Sequence, residues 1–506
     1  MNDRNFDRPI VVGSGVAGLS VALGLRRAAV ITKTQLGDGS SRWAQGGVAS
    51  AMGADDQPWR HAEDTVEVSA GLAVRSAVEA LTDGGREAID RLVAVGANFD
   101  RNRDGTLRLG QEAGHGRRRI VHADGDATGA EIMRALVGQV RGTQAIEVVE
   151  RVHAIDLVLS DGKVCGVVVM DDQGRTALWR APAVVLATGG IGQLYARTTN
   201  PVEATGDGIA MAARAGADLI DMEFVQFHPT ALDTGGDPMP LLTEALRGDG
   251  ARLVNSAGDR FMRGVHPDAE LAPRDIVART TYERRGDAFL DATVIGDDFE
   301  HHYPTVFASA ARVGLDPRKD LLPVSPAAHY SMGGIAADQD GRTSLRGLFA
   351  VGECASTGVH GGNRLASNSL LEGLVFGKRA AATVQAEQVV AGTTGAPTAP
   401  PAMAPGRPPA MQQLRDIMWE HVGVVRSEAS LVAARQAIAR LAADLERFVE
   451  GHNAVTVAHL VIDAALARTE TRGAHARSDY PNTDDALAVR QRIRIEPRFD
   501  ALTVAV

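Results

Sequence analysis

Five short segments of this 506-residue chain place charged or hydrogen-bonding side chains among small and apolar residues. The segments are EFVQFHPT (223–230), LLTEALRGDG (241–250), APRDIVART (272–280), PAAHYSMGG (326–334) and HGGNRLASNSLLEG (360–373). They supply the candidate substrate-binding residues Gln226, His228, Thr243, His329 and Arg364, and three further charged residues, Glu244, Arg247 and Arg274. Arginine holds a carboxylate through two parallel hydrogen bonds, and His or Thr donors can fix a second carboxylate. The set therefore predicts a site for a small dicarboxylate.

Most of these residues also have a simpler structural explanation. His228 follows an apolar run and is equally consistent with a hydrogen-bonded core histidine. Glu244 and Arg247 are three residues apart, which matches an ordinary helical ion pair. Arg274 follows a proline that suits the first turn of a helix, where the helix dipole disfavours a cation. Arg274 therefore needs an anionic ligand or a carboxylate partner.

A cofactor site is predicted near the N-terminus. In PIVVGSGVAGLSVALGL (9–25), a strand pattern leads through Gly13-x-Gly15-x-x-Gly18 into a helix pattern, as in dinucleotide-binding proteins. Ser14, Gly15, Val16 and Ala17 are expected to hold a pyrophosphate at the helix N-terminus. The next strand ends in Lys33 rather than in the acid that binds ribose hydroxyls, so Lys33 is expected to pair with a phosphate or to shape a different adenosine site.

The loop GDGSSRWAQGG (37–47) is a second candidate for cofactor contact. It is either a flexible surface loop or a shaped loop whose backbone approaches a ligand, and Trp43 with the glycine pair favours the second reading. Its candidate cofactor residues are Ser40, Ser41, Arg42, Trp43, Ala44, Gln45, Gly46 and Gly47.

The elements that position these residues come from distant parts of the chain. Strand-then-glycine patterns occur in APAVVLATGG (181–190) and LRGLFAVGE (345–353), and a β-meander is predicted over 151–169. We expect an α/β protein with a Rossmann-like dinucleotide domain, an inserted α+β capping domain and a C-terminal helical bundle domain. The predicted boundaries are 1–221 and 332–390 for the discontinuous first domain, 222–331 for the capping domain, 391–409 for a Pro-rich linker and 410–506 for the helical domain, with helices over 411–447 and 453–470.

Composition excludes several classes of protein. The net charge is −10, and 117–119 is the one basic run, which disfavours nucleic-acid binding. Cys165 and Cys354 are too few and too far apart for a disulfide framework or a metal site. No signal-peptide pattern opens the sequence, and no apolar run reaches the roughly 20 residues that would span a bilayer. We expect a cytoplasmic protein without metal, nucleic acid or membrane partners.

The motifs taken together resemble the succinate dehydrogenase/fumarate reductase flavoprotein family. They are GSGVAG, AQGG, TGDG, FHPT, TEALRG, PRD, HY-x-MGG, LFAVGE, GGNRLASNSLLE and R-x-E-x-RGAH-x-R-x-D-YP, and they match in order and spacing from residue 9 to about residue 485. The resemblance implies FAD as cofactor. It adds Val152 near the adenine, Asp207 and Glu353 as hydrogen-bond acceptors, and Ser369 and Leu370 at a helix start facing the flavin.

Within this family the chain resembles the branch that oxidises L-aspartate. Respiratory members have a histidine bonded to FAD at the position of Ser40, so the FAD is expected to be non-covalent here. QEAGHGRRRIVHADGDATG (111–129) keeps the glutamate of the aspartate-oxidising branch at Glu112, although Ala113 and Gly116 depart from its pattern. The chain is also shorter than the respiratory flavoproteins.

The resemblance implies oxidation of L-aspartate to iminoaspartate, with O2 or fumarate as electron acceptor and quinolinate synthase as the next enzyme of NAD synthesis. It implies that Arg274, Glu244 and Arg247 are catalytic, with Arg274 either the acid/base residue or an electrostatic clamp, and that Glu112 binds the substrate ammonium group. Two alternatives remain: a soluble fumarate reductase or succinate dehydrogenase flavoprotein, and a non-catalytic FAD-binding partner subunit. The segment RTETRGAHARSDYP (468–481) either docks the helical domain or contributes to the active site.

Overall fold

The central element is a five-stranded parallel sheet, seen in a computed structural model that describes residues 1–387 and 403–495. Its strands, in spatial order, are β18 (Leu348–Ala350), β11 (Val184–Leu186), β2 (Ile10–Val12), β3 (Ala28–Thr32) and β7 (Ile146–Glu150). All four pairings are parallel. The prediction that one sheet is assembled from strands far apart in sequence is confirmed.

The predicted Gly-rich turn joins β2 to helix α1 (Val16–Leu25). Gly13 has a φ of 110°, which suits glycine, and a Cβ at Gly18 would lie 2.1 Å from the Gly13 carbonyl oxygen. Helix α12 (Asn368–Ala386) packs along α1, and a Cβ at Gly377 would come within 2.8 Å of the Ser20 side chain. Small residues thus bring two helix N-termini to the same edge of the sheet.

The predicted β-meander is confirmed, but it belongs to a second sheet. That sheet has the order β1 (Arg4–Asn5), β10 (Thr176–Arg180), β9 (Lys163–Asp171) and β8 (Val152–Ser160). Strands β8, β9 and β10 pair antiparallel with one another, whereas β1 pairs parallel with β10. The sheet packs in the same hydrophobic core as one face of the parallel sheet.

A separate four-stranded sheet lies in the region predicted as an inserted domain. Its order is β13 (Val225–Leu232), β16 (Leu322–Ser331), β15 (Phe289–Asp291) and β14 (Arg252–Val254). Helices α8 (Ala245–Gly248), α9 (Arg274–Glu283), α10 (Phe299–His302) and α11 (Pro304–Ala311) accompany it. One hydrophobic core is built only from residues 232–324. This core supports the proposed capping domain at 222–331.

The other elements are short strands and peripheral helices. The strands are β4 (Val48–Ala49), β5 (Leu109–Gly110), β6 (Ile120–Val121), β12 (Leu219–Ile220), β17 (Gly334–Ala336), β19 (Ala355–Ser356) and β20 (Arg492–Ile493). The helices are α2 (Ser40–Trp43), α3 (Pro58–Val68), α4 (Arg75–Asp83), α5 (Gly85–Ala94), α6 (Thr128–Arg141) and α7 (Asp207–Arg214). None of the helices within 1–387 and 403–495 is long and apolar enough to cross a membrane.

The C-terminal region contains three helices, α13 (Met411–Val422), α14 (Glu428–Leu445) and α15 (Val449–Ala467). The prediction of one helix over 411–447 is wrong, because helix α13 ends before Gly423 and a new helix, α14, begins after Ser427, which forms a capping box. The helix predicted over 453–470 begins four residues earlier and ends at Ala467.

After Ala467 the described chain is mostly irregular, and β20 pairs with β12, so the helical prediction for 410–506 fails between 468 and 495. Of the predicted linker, 391–402 lies outside the described residues. The remainder, 403–409, forms no helix, and its β-pairing is limited to an isolated bridge between Ala404 and Phe448.

Candidate active site

A cavity of about 620 Å³ opens at the carboxyl edge of the parallel sheet. It is lined by the predicted cofactor residues Gly13, Ser14, Gly15, Val16, Ala17, Lys33, Ser40, Ser41, Arg42, Trp43, Ala44, Gln45, Val152, Asp207, Glu353, Ser369 and Leu370. Gly18, Gly46 and Gly47 do not line it. A Cβ at Gly47 would lie 2.4 Å from the Ile120 side chain, and one at Gly46 would lie 2.7 Å from a Glu112 oxygen, so these glycines allow close packing beside the cavity.

The cavity walls fit a dinucleotide. A Cβ at Gly15 would meet only the Ser41 hydroxyl, at 3.1 Å, and one at Gly189 would meet no atom within 4 Å, so the backbone is bare where it faces the cavity. Gln45 Oε1 and Glu203 Oε2 are buried in the cavity wall without a protein hydrogen-bond partner. Bare backbone, two helix N-termini and unsatisfied acceptors suit a ligand with phosphate and hydroxyl groups.

Lys33 contacts a carboxylate in this structure. Its Nζ donates to Asp207 Oδ2 at 2.8 Å and to Thr205 Oγ1 at 2.7 Å. Burial would raise the pKa of Asp207, but Lys33 and His153 hold that pKa well below its usual value. Asn453 of α15 donates to the other Asp207 oxygen at 2.8 Å. Lys33 therefore neutralises Asp207 in the cavity wall, and helix α15 contacts the same carboxylate through Asn453.

The predicted substrate residues converge beside the cavity, around Gln226 of β13. Gln226 Oε1 accepts a hydrogen bond from Arg274 Nη1 at 3.0 Å and one from Arg364 Nε at 3.3 Å. Gln226 Nε2 donates to Asn363 Oδ1 and to the Arg364 carbonyl oxygen, both at 2.9 Å. One buried amide thus fixes two arginines that are 90 residues apart in sequence, one on α9 and one in the 360–373 loop.

Glu244 is the carboxylate partner that the sequence demanded for Arg274. Arg274 Nε donates to Glu244 Oε2, and Arg247 Nη2 lies 3.6 Å from Glu244 Oε1. Burial would raise the pKa of Glu244, but Arg274 and Arg247 lower it below its usual value. Glu244 Oε1 and Arg247 Nη2 are both buried without a hydrogen-bond partner. This charged pair has capacity left for a polar ligand.

Arg364 is buried and makes no ion pair within residues 1–387 and 403–495. Its Nη1 donates to Ser369 Oγ at 2.8 Å, and its guanidinium lies 4.7 Å from the centre of the Tyr330 ring. Burial, with the neighbouring Arg274, lowers the pKa of Arg364 to about 10, so it stays cationic at neutral pH. Ser369 and Tyr330 both line the cavity. An unpaired buried cation at this position suits a carboxylate ligand.

His228 and His329 lie on the paired strands β13 and β16, with ring centres 5.1 Å apart. Burial lowers the pKa of each histidine well below its usual value, and the surrounding arginines lower it further, so both are neutral. His329 lines the cavity, and its Nδ1 lies 2.8 Å from Thr199 Oγ1. Thr243 is buried next to Glu244, but its hydroxyl bonds only locally, to the Ala245 amide at 3.4 Å.

Glu112 lies at the boundary between this cluster and the 40–47 loop. Ser367 Oγ donates to Glu112 Oε2 at 2.5 Å. Burial raises the pKa of Glu112, the nearby Glu244 raises it further, and Arg274 opposes them. Glu112 therefore brings a carboxylate to the edge of a set of arginines and histidines.

The comparisons with known proteins agree with this geometry. The profile of the FAD binding domain family matches residues 8–370, and that of the fumarate reductase flavoprotein C-terminal family matches 411–498. An L-aspartate oxidase of Caulobacter vibrioides is 46% identical, over 99% of this chain and 98% of its own. One of Streptomyces coelicolor is also 46% identical, over 96% and 91%. The chain belongs to the L-aspartate oxidase family. FAD is therefore its cofactor.

Solved flavoprotein structures share this fold. A mutated E. coli quinol fumarate reductase FrdA is 30% identical with a TM-score of 0.88, over 96% of this chain and 93% of its own. Mycobacterium smegmatis Sdh1 is 33% identical with a TM-score of 0.80, over 98% and 95%. The expected resemblance to succinate dehydrogenase and fumarate reductase flavoproteins and the expected fold class are confirmed.

Several site residues were missed from the sequence. The Tyr330 ring stacks against the guanidinium of Arg364. Ser367 hydrogen-bonds to Glu112, and Asn363 hydrogen-bonds to Gln226. Thr199 hydrogen-bonds to His329. Tyr330, Asn363 and Ser367 lie inside the quoted motifs, and this adjacency was the available signal. Thr199 lies in no motif singled out.

The C-terminal segment 468–481 is a docking element in this structure. Arg468 pairs with the buried Glu223 at 2.7 Å, and the Ala474 amide donates to the Gly362 carbonyl oxygen at 2.9 Å. Arg279 of α9 donates to the Gly473 carbonyl oxygen at 2.9 Å. These contacts hold the backbone next to Arg364, which supports the docking interpretation.

Proposed function

We propose that this protein oxidises L-aspartate to iminoaspartate with FAD as the oxidant. The observation that carries the proposal is Glu112, a carboxylate held by Ser367 near Arg274, the arginine that shares a buried cluster with Arg364, His228 and His329. The cations suit the two carboxylates of the substrate, and Glu112 suits the ammonium group that aspartate has and succinate lacks. The L-aspartate oxidases that are 43–46% identical over nearly the whole chain support the same substrate.

The binding roles follow from which groups have hydrogen-bonding capacity left. We assign the unpaired guanidinium of Arg364 to one substrate carboxylate, and His228, His329 and Thr243 to the other. Because both histidines are neutral, they act as hydrogen-bond donors and not as charges. Gln226 fixes Arg364 and Arg274 before substrate arrives, which reduces the entropy lost on binding.

The chemical step divides between cofactor and protein. FAD accepts the two electrons and the hydrogen that leave the substrate Cα. The cationic cluster and Glu112 orient that Cα–H bond and fix the ammonium group, which must lose a proton before the C=N bond forms. When fumarate is reduced instead, one of its carbons takes a hydride and the other needs a proton. We assign its delivery to Arg274, whose Nε is held by Glu244 with Arg247 behind it.

Anaerobic addition of L-aspartate to the purified holoprotein tests the proposal. We expect the oxidised-flavin absorbance to bleach with aspartate and to persist with an equal concentration of succinate. Bleaching by succinate alone would instead support a succinate dehydrogenase or fumarate reductase, and no bleaching by either would support a non-catalytic FAD-binding subunit.

The electron acceptor and the setting are further parts of the proposal. We propose that O2, giving hydrogen peroxide, or fumarate, giving succinate, reoxidises the flavin, and that iminoaspartate passes to quinolinate synthase for NAD synthesis in the cytoplasm. Peroxide and succinate assays separate the two acceptors. Ser40 replaces the histidine of covalent flavoproteins, so acid precipitation should release the flavin into the supernatant.

A further inference from the structure

Ser367 connects three parts of the active site through one hydroxyl group. Its Oγ donates to Glu112 Oε2 at 2.5 Å and accepts a hydrogen bond from the Gly47 amide at 3.2 Å. Its carbonyl oxygen accepts from the Ala49 amide at 3.0 Å. Ser367 is buried, and its φ is 60°, in the left-handed region. A non-glycine residue is held there only when its surroundings require it.

The hydrogen of this hydroxyl has one direction available. Because the Gly47 amide already donates to Ser367 Oγ, the O–H points away from the 40–47 loop, towards Glu112. Gly46 completes the arrangement, since a Cβ there would lie 2.7 Å from Glu112 Oε1. One carboxylate oxygen is therefore tied to Ser367, and the other lies close against the backbone of Gly46.

Charged groups from several elements surround Glu112. Glu244 at the start of α8 and burial raise the pKa of Glu112, whereas Arg274 of α9, the Ser367 hydroxyl and His122 after β6 lower it. Arg247 of α8 and Tyr303 before α11 also interact electrostatically with Glu112. Protonation of Glu112 would therefore compete with binding of the substrate ammonium group. A hydrogen-bond donor to the ionised carboxylate, such as the Ser367 hydroxyl, opposes this protonation.

We propose that Ser367 is a positioning residue that selects aspartate, by holding Glu112 ionised and oriented towards the substrate ammonium group. This inference rests on the proposed function. Ser367 does not itself bind the ammonium; it acts through Glu112. The same hydroxyl ties Glu112 to the 40–47 loop, so the ammonium receptor keeps a fixed position relative to the cofactor cavity.

Substitution of Ser367 by alanine and by glycine tests the proposal in the holoprotein. Both changes remove the hydroxyl, but glycine also relieves the left-handed backbone and alanine does not. A hydrogen bond to a charged group is worth about 10- to 100-fold. We expect kcat/KM for aspartate to fall by about that factor in both variants, and fumarate reduction to change less than about threefold. Ser50→Ala is the matched control, because its buried hydroxyl has no hydrogen-bond partner.

The pH profile separates positioning from a structural role. Ionised Glu112 is needed for ammonium binding, and the Ser367 bond lowers its pKa, so losing the bond raises that pKa. The acid limb of kcat/KM for aspartate should therefore move to higher pH in both variants, with the fumarate profile unchanged. Isothermal titration with aspartate and with succinate should show weaker binding of aspartate only.

Three results would overturn the inference. The first is an equal fall for aspartate and fumarate, and the second is an unshifted acid limb in a variant with a normal melting temperature. If the two variants differ strongly from each other, backbone conformation and not the hydroxyl is responsible, which also contradicts it. Failure of the wild-type protein to oxidise aspartate would instead overturn the proposed function.

Discussion

Replacing Arg364 by lysine should give the enzyme a new alkaline pH limit. Burial and the neighbouring Arg274 lower the pKa of Arg364 from 12.5 to about 10. Lysine normally titrates near ~10.4, and the same lowering would bring Lys at this position to ~8. The site needs a cation to bind the substrate carboxylate. Loss of the lysine proton above pH ~8 should therefore weaken substrate binding progressively in Arg364→Lys.

The assay is kcat/KM for aspartate oxidation and for fumarate reduction, between about pH 6.5 and about pH 9.5. Near neutral pH the lysine of the variant is charged but cannot hold the carboxylate through bidentate hydrogen bonds, so we expect kcat/KM to fall about tenfold. Above pH ~8 each further pH unit should cost about another tenfold in the variant, whereas the wild type keeps Arg364 charged. Both substrates should show the same limit, because both carry the carboxylate.

Exposed Arg118 provides a control, since Arg118→Lys should leave the profile unchanged. An alkaline limb in Arg364→Lys that coincides with that of the wild type would refute the reasoning. So would a limb seen with only one of the two substrates, since the carboxylate is common to both.

Three further predictions concern neighbouring groups. Glu112→Gln keeps the shape but removes the charge, so kcat/KM for aspartate should fall by at least about 100-fold while fumarate reduction persists; an equal loss of both would contradict the ammonium role. Lys33→Met leaves Asp207 buried without its ammonium partner, so unfolding free energy should fall by about 3 kcal/mol in chemical denaturation, and FAD should dissociate more readily in flavin-release assays. Asn363→Ala removes the bond to Asp275 on α9 (3.0 Å), so kcat should fall about tenfold for both substrates; an effect on aspartate alone would show a different role.

Local patterns predicted the elements that depend on near neighbours. The strand, Gly turn and helix around Gly13 and Gly18 were found because the glycine spacing is set by backbone geometry within a few residues. The break at Gly423 was missed because apolar spacing continues across it and only the capping hydroxyl of Ser427 marks the new helix. The irregular segment after Ala467 was missed for a related reason, since its charged residues are buried by long-range ion pairs such as Arg468 with Glu223.

The candidate site shows the same division. From the sequence alone, Arg274 had to have an anionic partner, because a cation opposes the dipole of a helix start. The identity of that partner depends on tertiary packing, which brings Glu244, just before α8, to Arg274 at the start of α9. Lys33 was expected to pair with a phosphate or to shape a different adenosine site, and the structure shows that it contacts Asp207, 174 residues away, through a contact that no local pattern carries.

The sequence by itself determined the set of chemical groups: a dinucleotide turn, a group of arginines and histidines, and one glutamate in a family motif. The tertiary structure decided which of those groups are already satisfied. Arg274 and Arg364 are the same residue type in equally polar segments, but folding pairs one with Glu244 and leaves the other on a tyrosine ring without a carboxylate. The physical reason is that hydrogen bonds and ion pairs between distant segments exist only after the chain has brought those segments together, and among the described residues they leave Arg364 without an ion pair.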